Sequence, residues 1–155
     1  MIICIVGPTG VGKTKLSIEL AKKLNGEVIN ADSTQVYKGM DIATAKVAEE
    51  EKEGIPHHLF DIKNIDEDYT VYDYQKDCRL KITEIQKRGN TPIIVGGTGL
   101  YIKAALYDYK FEEESNNIEK YLEYSNDELY NKLLSIDPKT EIHKNNRKRV
   151  IRALN

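Results

Sequence analysis

Residues 1–14 read MIICIVGPTGVGKT: a continuous apolar, β-branched run, then a glycine-rich octapeptide ending in Lys13 and Thr14. The octapeptide fits G-x-x-x-x-G-K-[ST], from Gly7 through Pro8, Thr9, Gly10, Val11 and Gly12 to Lys13 and Thr14. Its glycines let successive backbone N–H groups turn inward, Lys13 adds a positive charge, and Thr14 offers an oxygen to Mg2+. The context suits the pattern. "MIICIV" reads as a strand buried on both faces. "KLSIELAKKL" (15–24) places Leu16, Leu20 and Leu24 on one helical stripe, which Gly26 can close. A helix starting at the loop aims its dipole at an anion, so the stretch predicts a polyphosphate site.

"EVINA" (27–31) reads as a second short strand. Residues 38–56 read as a polar loop with one or two helical turns. "YTVYDYQKDCRLKITEIQKRG" (69–89) is the clearest helix: Thr70 caps it, Val71, Tyr74, Cys78, Ile82 and Ile85 form its apolar face, and Gly89 stops it. "TPIIVGG" (91–97) is a third buried strand, and "TGLYIKAAL" (98–106) opens another helix. Alternating strands and helices predict an α/β, P-loop NTPase-like fold, three layers about a parallel sheet. Three strands make an incomplete sheet, and the end at "RVIRALN" suggests a fragment. In such folds the first strand is usually central, so an uncovered edge there predicts self-association or a partner that covers it. After Leu106 the character changes, and we divide the chain into a P-loop core (1–108) and a helical segment (109–155). That segment has an acidic first part, with Ser125 and Glu128 as a capping box, and a basic tail.

The 155 residues carry a net charge of −2, with 40% hydrophobic and 31% charged residues. One domain-sized core is expected, and no global basic field draws the chain to nucleic acid or membrane. No run is long and apolar enough to span a bilayer. The N-terminus lacks the pattern of a signal peptide. The two cysteines, Cys4 and Cys78, read as buried thiols in a reducing compartment, which points to the cytoplasm.

An NTPase usually places an acid on another strand of the sheet to help hold Mg2+. The third strand ends in Gly-Gly-Thr, so the carboxylate at the mouth of the site is expected from Asp32, at the exit of the second strand. Asp32 can hold Mg2+ through water, take a proton from a nucleophile, or simply cap a turn with Ser33 and Thr34. Thr98, after two glycines, can approach a phosphate or act as a plain helix cap. His57 and His58 are adjacent, point to opposite faces of a strand and cannot readily share a metal, so a structural role is expected for both. On residue pattern alone the basic tail reads as a solvated helix end.

"GPTGVGKT", "INADSTQVYKGMDIATAK" (29–46), "GIPHHLFDI" (54–62), "YTVYDYQKDC" (69–78), "PIIVGGTGLYIKAAL" (92–106) and "DPKTEIHKNNRKRVIRAL" (137–154) occur in this order. Together they resemble the tRNA dimethylallyltransferase (tRNA isopentenyltransferase) family over nearly the whole chain. The resemblance implies transfer of a dimethylallyl group from dimethylallyl diphosphate to the exocyclic amine of an anticodon-adjacent adenosine in tRNA. It implies that Gly7 and Thr9 to Thr14 hold the diphosphate, with Thr14 near Mg2+. It further implies that Asp32 is the general base, that Ser33, Thr34 and Gln35 hold the flipped base, and that Thr98 sits at the reacting centre. Lys148, Arg149 and Arg152 match a tRNA-contacting stretch. The chain departs from the family at Ala43 and Val47, where the family usually has Gly and Pro, and a small backbone adjustment is expected there. The segment between Leu106 and Asp137 is shorter than in many relatives, and members continue well past "RAL". Two other readings remain. One is a small-molecule kinase of the shikimate kinase type; the other is an inactive, truncated relative that binds diphosphate or RNA.

Overall fold

The computed structural model describes residues 1–40, 45–109 and 119–155. The chain divides into two compact units, Met1–Lys110 and Phe111–Asn155.

In the first unit β1 (Ile3–Val6) leads through the glycine loop to α1 (Lys13–Leu24), then β2 (Gly26–Asn30), a 3-10 turn (Glu50–Lys52) and β3 (His57–His58). The helix α2 (Val71–Lys87), β4 (Thr91–Gly96) and α3 (Gly99–Leu106) complete it. The strands form one parallel sheet in the order β1-β4-β2-β3. Alternation along the strands sends Ile93 to one face, against Ala21 of α1 and Ile5, and Ile94 to the other, against Tyr74, Cys78, Ile82 and Ile85 of α2. The sheet is therefore the middle of three layers, as the alternating pattern predicts.

The helix α2 forms as its sequence dictates. Thr70 and Asp73 make a reciprocal capping box, and Tyr74, Cys78, Ile82 and Ile85 are buried. Full burial of each aliphatic side chain there contributes about 2 kcal/mol. Tyr74 stacks on Tyr101 of α3, centroids 4.0 Å apart. Arg79 donates to the carbonyls of Ala104, Ala105 and Tyr107, and Gln75 donates to those of Ala104 and Tyr109. These side chains satisfy the carbonyls that the end of α3 leaves without helical partners.

Several expectations are corrected. β1 is not buried on both faces: Ile5 is buried, but Val6 is 58% exposed and Cys4 is exposed. The cause is its place at the margin of the sheet, with β4 as its strand neighbour among the described residues. Cys78 is buried as expected, and burial pushes its thiol up to about 11. On α1 the buried residues are Ser17, Ile18 and Ala21, while Leu16 and Leu24 are exposed. The small side chains let the helix lie close on the sheet and leave those two leucines at its flank. Asn25, with φ 49°, caps α1, and Gly26 already belongs to β2, where a Cβ would lie 2.7 Å from Ile93 Cδ1. A fourth strand, β3, adds to the three legible in the sequence. The loop reading of 38–56 stands, with a 3-10 turn at Glu50–Lys52 among the described residues; Ala43 lies outside them.

Glu27 is a charged residue buried at the start of β2. Arg88 donates to both its oxygens, Asn90 donates at 2.7 Å, and His58 Nε2 lies 2.6 Å away. Burial opposes its ionisation, but these hydrogen bonds outweigh burial and bring it down to about 2. His58 thus has the structural role expected of it.

In the second unit a 3-10 turn (Glu119–Tyr121) precedes α4 (Asn126–Ile136) and α5 (Arg147–Leu154). The Ser125–Glu128 capping box is present. Tyr121, Leu129, Leu133, Val150 and Ile151 form a small core of their own. Among the described residues no helix is long and apolar enough to cross a membrane.

Candidate active site

The glycine loop turns through Gly10 and Gly12, with φ 85° and 86°. Side chains are strained there, and these turns bring the loop directly into α1, with Gly12 as its N-cap. Lys13 folds back so that Nζ donates to the Pro8 carbonyl at 2.6 Å. The first N–H groups of α1 are left without helical partners, as at any helix start, and offer donors to an anion there. Ser17 anchors the turn from within, donating to the Thr14 carbonyl at 2.7 Å.

The carboxyl ends of β2 and β4 meet beside this loop. Ala31 N donates to the Val95 carbonyl at 2.8 Å, and Thr98 N returns the contact to the Ala31 carbonyl at 3.1 Å. So close is the approach that a Cβ on Gly96 would lie 2.2 Å from the Ala31 carbonyl carbon and oxygen. This juxtaposition sets the geometry of Asp32 to Gln35. Asp32 Oδ1 accepts from Thr34 N at 3.0 Å and from Thr34 Oγ1 at 2.6 Å, while Asn30 Oδ1 accepts from Asp32 N. Asp32 therefore holds a turn with one oxygen; among the described residues its Oδ2 takes no hydrogen bond. Thr98 is the N-cap residue of α3, yet its side chain makes no capping bond. Its Oγ1 instead accepts from Ser33 N at 3.0 Å and donates to Ser33 Oγ at 3.3 Å.

A cleft of about 180 Å3 joins these parts. Thr9, Gly10, Gly12, Lys13 and Thr14 line it together with Asp32 and Gln35, and Val28, Val47, His57, Phe60 and Val95 supply apolar wall. Asp32 is the one carboxylate among the described residues that line it. Gly7 and Val11 belong to the same loop without lining the cleft. Ser33, Thr34 and Thr98 do not line it: Thr34 is hydrogen-bonded to Asp32, and Ser33 to Thr98. Lys148, Arg149 and Arg152 belong to the second unit, all exposed on the side of α5 away from buried Val150 and Ile151. Two other cations of the tail have structural tasks: Lys144 pairs with Asp127, and Arg147 donates to the carbonyls of Tyr121 and Tyr124.

The sequence reading missed His57 and Phe60. The β2–β3 register pairs Val28 with His57, which puts both side chains on the α1 face and into the cleft. The alternation of adjacent histidines carried that signal, since it sends His58 to Glu27 and His57 the other way.

The model of the IPP transferase family matches residues 35–155, more than three quarters of the chain. The chain belongs to the IPP transferase family. Among proteins of that kind, it is 56% identical to the tRNA dimethylallyltransferase of Anoxybacillus flavithermus over 158 residues, covering 99% of this chain and 51% of the relative. Against that of Bacillus subtilis the identity is 52%, with 99% and 52% covered. The solved tRNA delta(2)-isopentenylpyrophosphate transferase of Staphylococcus epidermidis superposes with a TM-score of 0.69 at 49% identity, over 99% of this chain and 53% of that one. A eukaryotic dimethylallyltransferase acting on tRNA superposes with a TM-score of 0.79 at 39% identity, over 96% and 39%. This IPP transferase chain spans about half the length of the curated relatives it matches.

Proposed function

We propose that this chain carries the donor-binding and proton-accepting half of a tRNA dimethylallyltransferase, located in the cytoplasm. The observation that carries the reading is the shared cleft, which the phosphate-type loop and Asp32 both line. Thr9 to Thr14 hold the diphosphate of dimethylallyl diphosphate through the N–H groups of the loop and the Lys13 ammonium. As the allylic C–O bond breaks, negative charge grows on the departing diphosphate, and this preorganised cradle stabilises it. The exocyclic amine of the adenosine forms the new C–N bond. An adenine amine is a weak nucleophile, and Asp32 Oδ2 accepts the proton it sheds. Gln35 lines the same cleft and meets the base edge, and Ser33 and Thr98 hold Asp32's turn in place. The target base leaves its stack to enter.

The donor set fits Mg2+. The Thr14 hydroxyl, a hard oxygen donor, would hold it directly, and the Asp32 carboxylate could reach it through water. When bound it supplies charge neutralisation at the diphosphate. Lys148, Arg149 and Arg152 suit the tRNA backbone, since three cations on one exposed helix side neutralise neighbouring phosphates. The open margin of β1 favours self-association of the chain.

The kinase reading is separated by competition. Dimethylallyl diphosphate is expected to bind in the presence of magnesium, to displace inorganic pyrophosphate, and to lose affinity on Lys13→Ala. Tight ATP binding with phosphate transfer to a small molecule would favour the kinase instead.

A further inference from the structure

The cleft has a chemically mixed lining. Its loop residues suit phosphate; Val28, Val47, His57, Phe60 and Val95 suit hydrocarbon, and the wall at Phe60 takes its direction from strained backbone. Leu59 and Asp61 both adopt positive φ, 63° and 52°, on either side of Phe60. For non-glycine residues each such conformation costs about 1 kcal/mol or more, and it persists only where the surroundings enforce it. Here Leu59 is locked into the core and Asp61 is gripped by Lys46, whose side chain is buried, at 2.6 Å. Lys46 Nζ also donates to the Tyr37 carbonyl at 3.0 Å, and Lys46 lies between Ala45 and Val47, which both line the cleft. One ion pair thus fixes two segments of the apolar wall.

Phe60 meets His57 edge to face, with ring centroids 5.7 Å apart. His57 is itself fixed: its Nδ1 lies 2.7 Å from the Ile55 carbonyl, which assigns the proton to Nδ1 in the neutral ring. Burial lowers the His57 pKa, against the opposing pull of that carbonyl, and the ring adds aromatic surface to the wall. The whole cleft measures about 180 Å3. An apolar cavity of about 150 Å3 holds a benzene-sized group, and this cleft has to take a diphosphate as well, so the room left for a tail is that of a short hydrocarbon.

We propose that His57 and Phe60 form the wall that receives the donor's hydrocarbon tail and limits it to five carbons. This rests on the reading of the loop as a prenyl diphosphate cradle. Calorimetric titrations of the 155-residue chain with inorganic pyrophosphate, dimethylallyl diphosphate and geranyl diphosphate, all with magnesium, test it. The wild-type chain is expected to prefer dimethylallyl diphosphate over both others by about tenfold or more, the scale of two or more buried methyl groups. In Phe60→Ala the preference over the ten-carbon donor shrinks by about tenfold, and pyrophosphate affinity stays constant, which also reports an intact cradle. His57→Ala weakens dimethylallyl diphosphate relative to pyrophosphate. Phe60→Trp, which fills the space instead of emptying it, weakens dimethylallyl diphosphate likewise, and covers the case in which Phe60→Ala does not fold. A wild-type preference that survives all three variants overturns the wall and leaves the donor reading standing. A wild-type chain that binds pyrophosphate as well as dimethylallyl diphosphate overturns both.

Discussion

Ser33 N donates to Thr98 Oγ1 at 3.0 Å, across 65 residues of chain. This bond ties the exit of β2 to the exit of β4 immediately behind Asp32. A hydroxyl placed to cap α3 has been diverted to hold the turn that aims the carboxylate. Thr98→Val keeps the shape, removes the acceptor and leaves Ser33 N–H unpaired. The expected stability loss is about 1 kcal/mol by denaturant titration. Dimethylallyl transfer is expected to fall by about tenfold or more, because a small misplacement of a reacting group is costly. Thr98→Ser should restore both.

Gly96 has no room for a side chain, since a Cβ there would sit 2.2 Å from the backbone of Ala31. Gly96→Ala must separate β2 from β4 at the site. A loss of about 3 kcal/mol is expected in thermal or denaturant unfolding. Gly10→Ala should instead act through its positive φ alone, costing about 1 kcal/mol, as nothing lies within 4 Å of its Cβ position.

Glu27 gives the fold an acid limit. Its folded pKa of about 2 lies below the ordinary value of 4.5, so its contribution is complete above the ordinary value and is lost as pH falls toward 2. Melting temperature should therefore decline steeply over that window. Glu27→Gln should lower the melting temperature at neutral pH and flatten the decline. Arg88→Ala, which strips the main partner from a buried carboxylate, should lower the melting temperature at neutral pH and move the decline to higher pH.

Among the described residues β1 pairs on one edge alone, with β4, and this predicts concentration-dependent association in sedimentation velocity, with Ile2→Lys shifting the distribution toward monomer. A chain that sediments as a monomer at all concentrations and melts at high temperature would contradict this.

Local signals were legible in the sequence; non-local ones were not. The glycine loop between strand and helix, the Thr70–Asp73 box and the 3.6-residue spacing of Tyr74, Cys78, Ile82 and Ile85 are written over a few residues each, and the structure contains them all. β3 is two residues long and exists only because β2 lies beside it. Leu16 and Leu24 obey helical spacing, but burial depends on what covers them, and the close packing of Ser17 and Ala21 places the sheet elsewhere. Asp32 was legible as a carboxylate at a strand exit. The cleft wall at Phe60 was not, because its direction comes from positive φ at two residues, Leu59 and Asp61, that are not glycine.

The central claim is that Asp32 accepts a proton from an RNA adenine whose alkyl donor is held by the Lys13 loop. Transfer of labelled dimethylallyl from its diphosphate to an anticodon stem-loop, comparing the wild-type chain with Asp32→Asn, tests it most directly. The prediction is measurable transfer by the wild type and a loss of about a hundredfold or more in the variant, with donor affinity little changed. No transfer by the wild type, or undiminished transfer by Asp32→Asn, would contradict it.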